Sequence, residues 1–312
     1  MKNIFIAACI LFMGTGLFAQ DAEDAPVIGF VQIGGDTMWR LAETISIKEE
    51  AGKRGMRLLF CDAQYKRENQ IKAMRSFIAQ KVDVILLAPV VTSGWDVVLQ
   101  EAQDAGIPVF ILELNIEVSD PTLYTTVFLM DLYGEGRKAG LWLAEKLNGE
   151  GTIAELYGTP GADAAVLRNN GFMDVIAEHP GMWVIRSERA DFTRSKAKEV
   201  VESWLNLKLE IDVIFAHCDD MALGAIDAVK AAGLVPGEDI LIVSIDGVRP
   251  AMEAIIAGEL NCSVECSPRF GPLVCDAVEK YLSGQELPKT IMQTDQVFTI
   301  ENAARELPHR LY

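Results

Sequence analysis

The hydrophobic and polar positions of this chain fall into one pattern written twice. From Arg57 an apolar run, RLLFC, leads through a polar turn into the amphipathic stretch KRENQIKAMRSFIAQ, and a second apolar run, VDVILLAP, ends at Pro89. From Val184 to Asp220 the same order recurs as VIRSERADF, TRSKAKEVVESWLNL and IDVIFAHCDD. The offset is about 125–130 residues, and similarity at one fixed offset marks a repeated structural unit. The flanks agree: VIGFVQIG at Val27 answers TIAELYGT at Thr152, and EAQDAGIPVFIL at Glu101 answers AVKAAGLVPGEDILIVSID at Ala228.

Each half predicts alternating strands and helices. Runs such as VILLA and VFIL are continuous rather than alternating, as in parallel strands covered on both faces. The pattern predicts first-half strands near Val27–Ile33, Arg57–Cys61, Val82–Ala88 and Pro108–Glu113. It predicts second-half strands near Thr152–Tyr157, Trp183–Ser187, Val213–Ala216 and Ile240–Ser244. A final strand is expected over Gln293–Phe298. The fold class that follows is α/β, with two similar doubly wound parallel-sheet lobes joined by a hinge of several crossings. The expected lobes are residues 21–127 with 266–295, and residues 128–265 with 296–312. Two such lobes leave a cleft between them, and clefts of this kind hold ligands.

The first twenty residues stand apart. A lone Lys2 precedes an apolar run from Ile4 to Phe18 and a small residue, Ala19. At about 15 residues that run is shorter than the ~20 of a spanning helix, so residues 1–20 read as a cleaved export signal and the mature protein as periplasmic. The formal net charge of −17 argues against nucleic acid or an anionic membrane surface as partner. Six cysteines are present. Cys9 lies in the export segment, and Cys61, Cys218, Cys262, Cys266 and Cys275 remain without a CxxC or a His/Cys cluster. No metal and no cofactor is predicted.

Ligands of parallel α/β sheets bind beyond the carboxyl ends of the strands. Gln32, Trp39 and Arg40 follow the first strand, Pro89 the third and Glu113 the fourth. In the second half Arg168 lies beyond the first strand, Phe192 the second, Cys218 and Asp219 the third, and Asp246 the fourth. Glu265 lies at an expected crossing. Carboxylates accept hydrogen bonds and arginine donates them in a fixed fork. Vicinal sugar hydroxyls do both, and Trp39 or Phe192 suits an apolar sugar face. Other readings stay open: Glu113 and Asp246 also suit helix caps, Arg168 a solvated helix position, and His217 a structural strand end. No catalytic residue is predicted, since Cys218 shows no fixed base or oxyanion site beside it. Neither a P-loop nor a GxGxxG motif occurs.

At ENQIKAMRSFIAQKVDVILLAPVV, DFTRSKAKEV, AHCDDMALGAI, SIDGV and SVECSP the chain resembles the periplasmic sugar-binding proteins of the ribose/galactose type, over essentially all of its mature length. The resemblance implies a type I periplasmic binding fold without catalytic activity. It implies a monomer that captures a galactofuranose-like monosaccharide and delivers it to an ABC permease in the inner membrane. Presentation of the closed form to a chemoreceptor or sensor kinase is the alternative. The resemblance also assigns Trp39 and Arg40 to the first-lobe wall, Arg168 and Asp246 to the second, and Glu265 to the hinge region. Glu113-Leu114 stands where the family usually has Asp-Arg, and Cys218-Asp219 where it has Asn-Asp. Those departures predict a different hydroxyl pattern or a less polar ligand. Arg168→Ala is expected to abolish binding and leave folding intact.

Overall fold

The structure is a computed structural model that describes residues 25–35, 38–310 and 312. The export-signal reading of residues 1–20 lies outside them. Strands run β1 (Val27–Gln32), β2 (Arg57–Asp62), β3 (Val84–Leu87), β4 (Val109–Glu113), β5 (Thr126–Leu129), β6 (Glu150–Tyr157), β7 (Gly181–Arg189), β8 (Val213–Ala216), β9 (Leu241–Asp246), β10 (Cys262–Glu265), β11 (Thr290–Met292) and β12 (Val297–Phe298). Helices are α1 (Met38–Lys53), α2 (Arg67–Ala79), α3 (Asp96–Asp104), α4 (Leu132–Lys146), α5 (Asp163–Ala177), α6 (Arg194–Asn206), α7 (Asp219–Ala231), α8 (Arg249–Ile256), α9 (Gly271–Leu282) and α10 (Ala303–Glu306).

The written repeat becomes a structural one. One six-stranded sheet has the order β2-β1-β3-β4-β5-β11 and the other β7-β6-β8-β9-β10-β12. β1 therefore corresponds to β6, β2 to β7, β3 to β8, β4 to β9 and β5 to β10. Every pairing is parallel except β12 on β10, which is antiparallel. The continuous apolar runs follow from burial on both sheet faces. In the first lobe Val84, Leu86, Phe110 and Leu112 point into a core with Ile47 of α1 and Val274 and Val278 of α9. Ile85, Leu87, Val109 and Ile111 point into the opposite core, with Met74 and Phe77 of α2 and Leu99 of α3. Each such side chain contributes about 1.5–3 kcal/mol when fully buried.

The second lobe repeats this with one added constraint. On one face Phe172 of α5 stacks on Phe215 of β8, with ring centroids 3.9 Å apart. There α4 and α5 touch backbone to backbone. A Cβ on Gly136 would lie 2.0 Å from the Arg168 carbonyl, and one on Gly171 would lie 2.0 Å from the Tyr133 carbonyl. Only glycine permits that approach, and it brings Glu135 of α4 against Arg168 of α5.

Among the described residues the chain passes between the sheets three times: from β5 to α4, from β10 to α9 and from β11 to β12. The carboxyl ends of the two sheets meet there. The Cys266 thiol lies 3.4 Å from the Met130 sulfur, and the Trp39 indole N–H donates to the Cys266 carbonyl at 3.2 Å. The expected strand Gln293–Phe298, which the expected lobe boundary at 295/296 divides, is the third crossing followed by the short strand β12. Gln293 N–H still bonds Leu129 of the first sheet at 2.8 Å, while Glu265 N–H bonds the Gln296 carbonyl at 2.8 Å, beside β12 in the second. The polar QTDQ stretch spans the gap because neither sheet offers it two apolar faces.

Candidate functional site

The first-lobe wall is built at the ends of β1, β3 and β4. Gln32 closes β1 and is fully buried. Its amide nitrogen donates to Glu43 at 2.8 Å and to Thr44 at 3.2 Å, and its oxygen accepts from Ile33 N–H at 2.8 Å. Its hydrogen-bonding capacity is thus spent on fixing α1. Arg40, one turn along α1, pairs with Glu113 at the end of β4 and lies 3.6 Å from Glu43. Its guanidinium sits 5.0 Å over the Trp39 ring, which in turn meets Phe270 edge-on at 6.5 Å. Pro89 is buried beyond β3. Buried Gln70 holds that loop by donating to Ala88 at 2.5 Å and accepting from Val90 N–H at 2.9 Å.

Sequence reasoning missed Glu43. It is fully buried and its Oε1 has no hydrogen-bond partner. Burial first, then the neighbouring Glu113, push its carboxyl well above the ordinary carboxylate range. A carboxyl three residues after an arginine on a helix reads in sequence as an exposed ion pair. Only its burial reveals the difference.

The second-lobe wall uses the corresponding elements. Arg168, on α5, is buried. It donates from Nε to Glu135 at 2.8 Å, from Nη1 to the His217 carbonyl at 2.7 Å and from Nη2 to Asp246 at 3.2 Å. This rules out the solvated reading of Arg168. Glu113 and Asp246 occupy corresponding strand ends, and both have positive φ, +71° and +134°. Non-glycine residues held there cost about 1–3 kcal/mol each and persist only where surroundings over-determine them. Burial pushes the Asp246 carboxyl up to about 8, against the lowering effect of Arg168. A quarter of its side chain is exposed, and hydration there draws the value back toward the usual range.

Several candidate residues turn their polar atoms inward. Asp219 is fully buried; it accepts from Ser244 at 2.5 Å, Ser263 at 2.7 Å and Val248 N–H at 2.8 Å, and burial raises its carboxyl to about 6. Glu265 accepts from Arg310 at 2.5 Å and from Gln296 N–H at 3.1 Å. His217 accepts from Gly158 N–H at Nδ1, 3.3 Å, so its Nε2–H faces Glu155 at 2.8 Å. Burial holds that imidazole below its ordinary value, which fits a neutral structural ring. Cys218 caps α7 and is buried, and burial pushes its thiol well above the ordinary range. Phe192 is half-buried in the loop after β7. Near the crossings sequence reasoning also missed Asp295. It is buried with one oxygen unpartnered, and burial, then Glu135, raises it to about 7.

The structure therefore brings one arginine–carboxylate pair to each sheet, Arg40–Glu113 and Arg168–Asp246, from the same elements of two repeated lobes. That is the architecture of a two-lobed cleft-binding protein. The chain belongs to the periplasmic binding protein family, whose domain model matches residues 28–286. It is 47% identical over 310 residues to the galactofuranose-binding protein YtfQ of Escherichia coli (strain K12), covering 98% of this chain and 96% of that one. It superposes on the periplasmic binding protein component of the arabinose ABC transporter from Shewanella sp. ANA-3, bound to α- and β-L-arabinofuranose, with a TM-score of 0.76 and 48% identity, covering 91% of this chain and 95% of that chain. A Mycobacterium smegmatis protein in complex with β-D-fucofuranose gives a TM-score of 0.73 at 42% identity, covering 91% and 94%.

Proposed function

We propose that this protein captures a monosaccharide in its furanose form, galactofuranose or a relative, and delivers it to an ABC importer. The observation that carries the reading is the pair of arginine–carboxylate groups at corresponding strand ends. Each pair offers donors and acceptors to hydroxyls on opposite sides of one small ligand. Hydrogen bonds to charged groups contribute about 1.5–3 kcal/mol each, and a few of them reach the ~8 kcal/mol of micromolar binding. The relatives support a five-membered ring, since galactofuranose, arabinofuranose and fucofuranose appear in their names or as bound ligands.

The mechanism is closure of the lobes, residues 21–127 with 266–295 against 128–265 with 296–312, about the three crossings. Trp39, Arg40 and Glu113 face the sugar from one side, and Arg168, Phe192, Cys218 and Asp246 from the other. Gln32, Pro89, Asp219 and Glu265 hold those groups in place. The protein works as a monomer in the periplasm after loss of its export segment. It transforms nothing, and its closed form docks on the inner-membrane permease.

The test is a thermal-shift panel on ligand-stripped mature protein with D-galactose, L-arabinose, D-fucose, D-ribose and D-glucose. A sugar at one hundred times its dissociation constant stabilises the fold by about 2.7 kcal/mol. A raised melting temperature with D-galactose, L-arabinose or D-fucose is expected. No shift with any sugar, or chemical conversion of one of them, overturns the reading.

A further inference from the structure

The loop after β2 and the loop after β7 are built alike. Ala63 N–H donates to the Gln32 carbonyl at 3.0 Å, and Ala190 N–H donates to the Tyr157 carbonyl at 2.7 Å. Lys66 N–H closes on Ala63 at 3.1 Å, and Thr193 N–H closes on Ala190 at 3.0 Å. Between these bonds, two consecutive residues in each loop take left-handed backbone. They are Gln64 and Tyr65 (φ 53° and 57°), and Asp191 and Phe192 (φ 54° and 57°). That conformation costs L-residues about 1–2 kcal/mol each, so both loops hold it against a penalty.

Its effect is to lay a ring over a glycine. A Cβ on Gly34 would stand 2.4 Å from the Tyr65 ring, and one on Gly158 would stand 2.1 Å from the Phe192 ring. Any other residue at either glycine would lift the ring away. β2 and β7 are also the outermost strands of their sheets, at the opposite edge from β11 and β12. The two rings therefore stand beyond the sheet ends on the side away from the crossings, at the mouth of the cleft. Tyr65 is 48% exposed. It borders a pocket of about 400 Å³ formed with Gly34, Gly35, Asp62 and Gln64, and it lies near enough to Arg40 to act on that guanidinium.

We infer that Tyr65 is the first-lobe counterpart of Phe192, and that the two rings roof a bound monosaccharide from opposite sides of the cleft mouth. Tyr65 is then a specificity-determining residue. Its ring covers the outward C–H face of the sugar, and its phenol meets the outermost hydroxyl. The inference rests on the sugar-binding reading above. It adds that the site rejects a sugar extended at its outward end, because two rings closing over that end leave no path for a second unit.

The experiment compares wild type, Tyr65→Ala and Tyr65→Phe by titration calorimetry and stopped-flow tryptophan fluorescence. D-galactose, L-arabinose and D-fucose serve as probes. Tyr65→Ala is expected to weaken the best-bound probe about tenfold, equivalent to about 1.4 kcal/mol, through faster release. Tyr65→Phe is expected to stay within about threefold of wild type. The sugar-free melting temperature is expected to be the same in Tyr65→Phe and at most slightly lower in Tyr65→Ala, because the ring packs on Gly34 but is half exposed. Wild-type affinity and release rate in Tyr65→Ala, with affinity lost in Phe192→Ala, overturn the inference and leave the sugar reading standing. A lowered sugar-free melting temperature with an unchanged release rate assigns the ring a structural role and also overturns it. A wild-type protein that binds none of the probes overturns the sugar reading itself.

Discussion

The two walls of the cleft use the same parts and arrive at different states. In each lobe the helix after the first strand supplies an arginine, and the end of the fourth strand supplies a carboxylate on strained backbone. Arg168 keeps only 5% of its side chain exposed and is bonded to Glu135, the His217 carbonyl and Asp246. Arg40 keeps 20% exposed beside Glu113 and Glu43; in both walls the buried acid beside the arginine, Glu43 or Glu135, retains an unpartnered oxygen. The difference comes from α4. Gly136 and Gly171 let that helix press Glu135 into the second wall; α1 is packed as closely by α9, where a Cβ on Gly271 would lie 2.2 Å from the Ser46 carbonyl, but the buried acid beside Arg40 is Glu43 of α1 itself. A site whose dipoles are fixed before the ligand arrives spends less on ordering it. Under the proposed sugar-binding reading, the second lobe is the more pre-formed half of the site and the first lobe the more adaptable half.

Removing each arginine separates the two states most sharply. Arg168→Ala strands Glu135 as a buried unpaired charge, and breaking a buried pair in that way costs about 3–5 kcal/mol. Its urea midpoint is expected to fall steeply and sugar binding to vanish. Burial thus replaces the sequence-based expectation that folding survives this change. Arg40→Ala leaves a more open site. It strands the buried Glu113, but at a site where a fifth of the arginine was already exposed, so it is expected to lose binding at least tenfold, with a stability loss smaller than the ~3–5 kcal/mol of a fully buried pair. Equal denaturation midpoints for the two variants would abolish the distinction between the walls.

Much of this was legible in the sequence because the repeat is written in apolar runs. VDVILLA and IDVIFA differ from helices in length and continuity, and both became strands buried on two faces. The crossings were harder. β12 has two residues and β11 has three, too few to show a period, so one strand was expected at the 295/296 lobe boundary where the structure has two, one in each sheet. Position beyond a strand end picked out Arg40, Glu113, Arg168 and Asp246. It could not tell them from Gln32, Asp219 and Glu265, which sit in the same places with their polar atoms turned inward. Direction depends on partners far away in sequence, such as Ser244 and Ser263 for Asp219 and Arg310 for Glu265. Glu43, Glu135 and Asp295 were missed because an acidic residue in a polar stretch reads as solvated until the fold covers it.

Those buried acids give the comparison a pH dependence. Asp219 and Asp295 are raised to about 6 and 7, and the partly exposed Asp246 is raised by burial as well, against about 3.9 in the unfolded chain. Between about pH 4 and pH 7 the folded state binds more protons than the unfolded one, so stability falls as pH rises through that window. These three lie in the second wall or at the crossings, and Glu43 of the first wall is raised as well, so both halves contribute to the fall. Asp295→Asn cannot ionise, so it removes both the titration and the repulsion from Glu135. Its melting temperature is expected to depend less on pH and, at pH 8, to exceed wild type by the equivalent of about 1–3 kcal/mol, the cost of a buried polar group left unsatisfied. Parallel pH curves for the two proteins would place the titrating group elsewhere.

Glu43→Gln is the mildest change and the finest test of the adaptable wall. Burial and Glu113 push the Glu43 carboxyl well above the usual range, which favours its neutral form, and glutamine imitates that form in shape. Gln32 donates to Glu43 Oε2 at 2.8 Å, and a glutamine oxygen in the same place still accepts. The new amide N–H₂ then falls where Oε1 has no partner and Glu113 is near. Stability is expected to change by less than about 1 kcal/mol, since the lost and gained hydrogen bonds are of similar worth. Sugar affinity is expected to move by no more than about threefold. A fall in stability comparable to that of Arg168→Ala would show that Glu43 is ionised and paired to Arg40. The first wall would then be as tightly fixed as the second, and the contrast between pre-formed and adaptable halves would fail.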